Sequence, residues 1–261
     1  MTQELSHDHN IVTYTYGDGP RLALLHGFTQ TASSWNPVIR DLSNEYLCVA
    51  VDMPGHGNSP DATRPLPQCA HDIAHTVGAT TYIGYSFGAR VALNIALAYP
   101  HLCERLVLIS GTAGIEDDAE RDERRRDDEL LGEYILETGM NRFINEWLSQ
   151  PMFAGLPPEF SYVEERKQNL PEDMADSLRY AGTGTQEPLW SELHHLSMPV
   201  LIVAGRNDPK FTALAQRLHS LIPSSTLELF DHVGHTVQLE DVREFTNRLR
   251  NWLNNSNSQA N

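Results

Sequence analysis

Thr80-Thr-Tyr-Ile-Gly-Tyr-Ser86-Phe-Gly-Ala-Arg90-Val-Ala-Leu-Asn-Ile-Ala-Leu-Ala-Tyr99 places three signals in immediate succession. A β-rich run (80–83) enters a G-x-S-x-G pentapeptide (84–88), and a helix-length apolar stretch (89–99) follows at once. The pentapeptide alone is common by chance. Between a strand and a helix it marks a sharp turn whose glycines permit close packing and whose strained serine presents its hydroxyl at the carboxyl edge of a sheet.

Further β-rich runs occupy residues 11–16, 22–25, 46–51, 106–109, 200–204 and 226–230, with helix-length stretches at 212–221 and 242–253. Strands alternating with helices predict βαβ units and an α/β fold with a mostly parallel central sheet flanked by helices. Residues 111–196 break this rhythm. They are rich in charge, show helical spacing and carry breaks at Pro151, Pro157, Pro158 and Pro171, which predicts an inserted helical cap. The expected organisation is therefore a core of 1–110 and 197–253, a cap of 111–196, and a disordered polar tail of 254–261.

The remaining members of a serine-based site are expected in the order acid, then histidine. Val200-Leu-Ile-Val-Ala-Gly205 reads as a buried strand ending in Arg206-Asn-Asp208, and the strand at 226–230 exits through Val233-Gly-His235. Ser86, Asp208 and His235 thus supply a hydroxyl, an orienting carboxylate and a base at neighbouring strand ends. Asp231 and His232 compete for two of those roles but sit closer to the strand end. An oxyanion site needs two backbone N–H groups. Phe87, next to the serine, offers one, and Phe28, after His26-Gly27, offers the other. His26 and His56, the latter in Asp52-Met-Pro-Gly-His-Gly57, read as braces for their loops. His71 and His75 have i,i+4 spacing without a third ligand, and His7 and His9 flank Asp8 near the N-terminus, so no metal and no cofactor is expected.

The chain has 261 residues, 40% hydrophobic and 21% charged, which is ordinary for a globular protein and enough to bury a large core. A formal net charge of −16 argues against nucleic-acid binding. No apolar run approaches membrane-spanning length, and residues 1–10 lack the apolar core of a signal peptide. Three cysteines without C-x-x-C spacing complete the picture of a soluble cytoplasmic protein without stable membrane association. The oligomeric state stays open, with a monomer as the simpler expectation. Only Lys167 and Lys210 are lysines, so seventeen of the nineteen basic residues are arginines, the residue that forms fixed forks with carboxylates.

Leu25-His-Gly-Phe28, Asp52-Met-Pro-Gly-His-Gly57, Gly84-Tyr-Ser-Phe-Gly88 and Gly234-His235 resemble the α/β-hydrolase superfamily across nearly the whole chain. Within it, Glu123-Arg-Arg125, Asp128-Glu129, Phe143, Trp147, Pro151-Met-Phe-Ala154, Gly182-Thr-Gly-Thr185 and Leu189-Trp190 look like one branch, the 2-succinyl-6-hydroxy-2,4-cyclohexadiene-1-carboxylate synthases of menaquinone and phylloquinone biosynthesis. That resemblance implies a lyase that eliminates pyruvate from a small tricarboxylate, with the Ser86 triad acting as base. By position it implies binding roles for Arg90, Arg124 and Arg166 and a pocket wall of Tyr85, Trp147 and Phe153. Read from the residues alone, Arg124 and Arg166 have a solvated salt-bridge face as their alternative, and Trp147 and Phe153 a cap core. Gln30 and Ala89 depart from glycines frequent in the family, and the stretch 61–80 leaves room only for a shortened helix. The rival readings are a carboxylesterase or carbon–carbon bond hydrolase, and a binding protein that uses the capped pocket as a receptor.

Overall fold

The computed structural model describes residues 10–257. Seven strands, β1 (Thr13–Tyr16), β2 (Arg21–Leu25), β3 (Leu47–Val51), β4 (Thr80–Tyr85), β5 (Cys103–Ile109), β6 (Val200–Gly205) and β7 (Ser225–Phe230), form one sheet in the order β1-β3-β2-β4-β5-β6-β7. β1 runs antiparallel to β3 and every other pair is parallel. This is the alternation of strand and helix expected from the sequence.

The period-2 geometry of a strand sorts each run between two faces. Ala23, Leu25, Val49, Val51, Leu106, Leu108 and Ile202 join one apolar cluster, under α2 (Leu66–Val77), α3 (Phe87–Ala98) and α7 (Pro209–Leu221). Leu22, Leu24, Cys48, Ala50, Val107, Ile109 and Val203 join the other, under α1 (Asn36–Leu42) and α9 (Val242–Asn257). Near-continuous apolar runs are what a sheet covered on both faces requires. α2 has twelve residues, so the stretch before β4 holds a helix of ordinary length.

Residues 110–199, between β5 and β6, contain no strand. They carry α4 (Asp118–Leu148), the single turn α5 (Val163–Arg166) and α6 (Pro171–Ala181). Asp117 caps α4, its carboxylate accepting the Glu120 N–H at 2.9 Å. Ile135, Met140, Phe143 and Ile144 of α4 pack on Met174 and Leu178 of α6 in a third cluster, while the outer faces are laced by pairs such as Arg179–Glu129 at 2.7 Å. α4 is broken at Gly139 (φ 72°, ψ 165°), a conformation essentially restricted to glycine, which kinks the helix ahead of residues 140–148.

α9 continues to Asn257, beyond the expected start of a disordered tail at 254. Leu253 is buried in the core and the Tyr46 hydroxyl donates to Asn254 Oδ1 at 3.5 Å, so packing carries the helix through polar sequence. The rest of that tail, 258–261, lies outside the described residues, as do His7, Asp8 and His9. Among the described residues, no helix is long and apolar enough to cross a membrane. Cys48, Cys69 and Cys103 are buried free thiols, each pushed up to about 12 by burial.

Open space surrounds the Cβ position of Gly139, so Gly139→Ala tests backbone strain alone. A loss of about 1–3 kcal/mol is expected, visible as a lower midpoint in urea unfolding; unchanged stability would show that the break is not set by this residue.

Candidate active site

Ser86 joins β4 to α3 with φ 52° and ψ −105°. A Cβ on Gly84 would collide with the Gly88 carbonyl, and one on Gly88 would collide with the Leu25 and His26 carbonyls. The two glycines thus let α3 lie directly on the end of β2, where the Gly88 N–H donates to the His26 carbonyl at 3.0 Å. The Ser86 N–H donates to Ile109 O at 2.9 Å, tying the turn to β5.

Asp208 follows β6 and caps α7, with Oδ1 accepting the Phe211 N–H at 3.1 Å. Its Oδ2 accepts from His235 Nδ1 at 2.8 Å, and His235 Nε2 stands 3.3 Å from Ser86 Oγ. A carboxylate accepts only, so Nδ1 carries the proton and Nε2 is free to receive one from the serine hydroxyl. Burial pulls the Asp208 carboxyl upward, but the hydrogen bonds from His235 and Phe211 outweigh it and hold it below the usual range. The Phe211 ring packs edge-on against His235 at 4.4 Å. Asp231 instead pairs with Arg206 at 2.8 Å on the surface, and His232 is exposed.

The loop after β2 places Phe28 beside this group. His26 is fully buried, with Nδ1 bonded to Gly27 O at 2.8 Å and Nε2 accepting the Met53 N–H at 3.0 Å. Burial, reinforced by His56, keeps it well below the usual histidine range and neutral. His56 Nδ1 bonds Pro54 O at 3.0 Å, and burial lowers it to about 4. Gln30 has a use for its side chain: Oε1 accepts the Gly27 N–H at 2.9 Å. Phe87 opens α3, so its N–H has no acceptor within the helix. His71 and His75 turn to other partners, Tyr99 OH and the His71 carbonyl.

Ser86, His235, Asp208, Phe28 and Phe87 border a cavity of about 480 Å³ beneath α4 and α6. Arg90, Arg124 and Trp147 border it too. Arg90 is buried, and its guanidinium bonds neutral acceptors, Ala181 O at 2.9 Å and Gln186 Oε1 at 3.3 Å. Burial, with the Arg124 charge nearby, pushes it down to about 10. Arg124 pairs through Nε with the buried Asp128 at 2.8 Å, and Asp128 also accepts the Gly184 N–H at 3.2 Å. The Trp147 indole N–H is buried without a hydrogen-bond acceptor and its ring lies 5.6 Å from that of Phe28.

One expected binding arginine, Arg166, and two expected wall residues, Tyr85 and Phe153, do not border the cavity. Arg166 is buried against the loop after β2, donating to Ser161 O at 2.8 Å and to Thr29 Oγ1. Tyr85 lies behind His235, ring centres 5.4 Å apart, and Phe153 behind Trp147 at 5.9 Å. Conversely, Asp128, Lys210 and Phe211 border it without having been anticipated. The i,i+4 spacing of Arg124 and Asp128 was the available signal for one, and the scarcity of lysine for another. The Lys210 charge also helps lower Asp208.

A family model described as alpha/beta hydrolase fold matches residues 20–242. A Bacillus subtilis (strain 168) protein provisionally named 2-succinyl-6-hydroxy-2,4-cyclohexadiene-1-carboxylate synthase is 33% identical, over 90% of this chain and 95% of its own. The structure of MenH from S. aureus superposes with a TM-score of 0.88 at 29% identity, covering 94% of this chain and 98% of that one. A pimeloyl-[acyl-carrier protein] methyl ester esterase of Nitrosomonas europaea is 29% identical, over 88% of this chain and 94% of its own.

Because the folded carboxyl of Asp208 lies below its unfolded value of about 3.9, it adds stability that is full above that value and lost as pH falls through the folded one. Asp208→Asn should therefore flatten the acid limb of a plot of Tm against pH; an unchanged slope would mean the carboxylate is not held low.

Proposed function

The chain belongs to the alpha/beta hydrolase fold family, and from that premise we propose that it is a carbon–oxygen lyase of menaquinone or phylloquinone biosynthesis. Its reaction releases pyruvate from 2-succinyl-5-enolpyruvyl-6-hydroxy-3-cyclohexene-1-carboxylate and leaves 2-succinyl-6-hydroxy-2,4-cyclohexadiene-1-carboxylate. The observation that carries this reading is the pairing, in one cavity, of the Ser86 hydroxyl with Arg90, a buried guanidinium whose hydrogen bonds go to neutral acceptors, Ala181 O and Gln186 Oε1. A tricarboxylate offers Arg90 a directly hydrogen-bonded carboxylate, which a neutral ester does not. Free, buried thiols suit a cytoplasmic setting.

In this mechanism His235, oriented by Asp208, takes the proton of Ser86 Oγ as that oxygen removes the ring proton alpha to the succinyl ketone. The electron pair moves through the ring double bond and expels the enolpyruvyl oxygen, so the 3-ene becomes the 2,4-diene and the departing enolate is protonated to pyruvate. The Phe28 and Phe87 N–H groups stabilise the enolate that develops on the ketone oxygen. Arg90 and Arg124 bind carboxylates, and Trp147 supplies an aromatic wall. Arg166 serves indirectly, by holding Thr29 next to Phe28.

The esterase relative favours a second reading, hydrolysis of an ester through a Ser86 acyl intermediate. Pyruvate release by the purified protein, measured against the spontaneous background, decides between them. Rapid release is expected, with Ser86→Ala lowering kcat by about 10²–10⁴-fold, the usual share of a general base. Esterase turnover without pyruvate release would establish the second reading. Arg90→Lys keeps the charge but loses the fork, and should lower kcat more than it raises KM, by about 10- to 100-fold from the 1.5–3 kcal/mol of a charged hydrogen bond. An unchanged value removes Arg90 from the site.

A further inference from the structure

Ser86 follows β4 and His235 follows β7, with β5 and β6 between them. Three strand spacings amount to about 14 Å, so the histidine loop must cross the sheet edge beyond the reach of the ladder's own hydrogen bonds. One backbone bond from just beyond β6, Asn207 N–H to Val233 O at 2.9 Å, holds its start, and the residues beside His235 need a further support.

Glu240, the last residue of α8 (Val237–Glu240), is half-buried. Its Oε2 accepts the Gly234 N–H at 2.7 Å and its Oε1 the Thr236 N–H at 2.9 Å. One carboxylate thus grips both amides that flank His235, while Ser110 Oγ donates to the His235 carbonyl at 2.7 Å. The same carboxylate meets the turn that follows α4. A Cβ on Gly155 would occupy the place of Glu240 Oε2, and one on Gly234 would stand 3.7 Å from the Met152 carbonyl oxygen. Met152 itself borders the cavity.

We propose that Glu240 is the positioning residue that sets His235 against Ser86 and ties its loop to the 151–155 turn overhead. The inference rests on the Ser86–His235–Asp208 chemistry proposed above. It does not depend on which substrate is used, because any reaction begun by Ser86 needs Nε2 within reach of Oγ.

Glu240→Gln replaces one acceptor oxygen with an NH2 group that cannot accept, so one flanking amide loses its partner. Gly155→Ala leaves the carboxylate in place chemically but displaces it, and serves as the second variant should the first fold poorly. In pyruvate release, both variants should lose about 10²-fold in kcat with KM within about threefold of wild type, the signature of a misplaced reacting group. If the wild-type enzyme releases no pyruvate, the lyase reading fails by itself. The same ratio is then read from the rate at which a fluorophosphonate phosphonylates Ser86 Oγ, with fluoride leaving. Rates within about twofold of wild type in these variants, or a change confined to Tm or KM, would overturn the assignment.

Discussion

A single close approach governs the carboxyl edge of the sheet. Where α3 meets the end of β2, Gly88 and the Leu25 and His26 carbonyls lie so near that no side chain fits between them. That contact bends the chain through Ser86 at a positive φ and brings the N-terminus of α3 against the loop that begins at His26. The two N–H groups proposed for the oxyanion site, on Phe28 and Phe87, lie 59 residues apart in sequence, on segments that the Gly88–His26 hydrogen bond fastens together. A side chain at either glycine would separate the donors as well as relax the serine. Strain at one residue is thereby sustained by packing around it.

Electrostatically the molecule is divided. Its formal charge is −16, yet guanidinium groups border the cavity. At physiological salt the Debye length is about 8 Å, so the acidic exterior weighs little on an anion already inside. The interior cations are treated differently from each other. Asp128 bonds Arg124 directly and offsets part of the cost of placing it at the wall, whereas Arg90 feels that carboxylate only through space and hydrogen-bonds neutral acceptors. An anion entering the cavity therefore gains most at Arg90, close in chain to the serine, and the proposed elimination takes place at that end.

How far the sequence reveals this arrangement depends on what kind of signal each part leaves. The inner strands, buried on both faces, leave runs of apolar residues, the half-buried edge strands β1 and β7 leave β-rich runs, and the glycine-flanked serine announced its own geometry. The order of Ser86, Asp208 and His235 followed from strand ends. Side-chain direction left no such trace. Arg166 sits in a single helical turn that starts after Tyr162 in a left-handed conformation (φ 52°), and that local bend sends its guanidinium to Thr29 rather than to the cavity. Tyr85 and Phe153 likewise face the rear of residues that do border it. Gly139 was hidden because the residues around it keep helical composition, and the end of α9 because Asn254-Asn-Ser-Asn257 looks like a tail until Leu253 is seen in the core.

The three cysteines lend the molecule a chemical silence. Each is buried and each thiol is pushed up to about 12, so near neutral pH the nucleophilic thiolate is almost absent and alkylating reagents have no path to it. A cysteine introduced on the outer face of α4 would then be the one thiol that takes up a maleimide dye or spin label. Distances from that face to the sheet can be followed in the native sequence background, with no need to remove Cys48, Cys69 or Cys103.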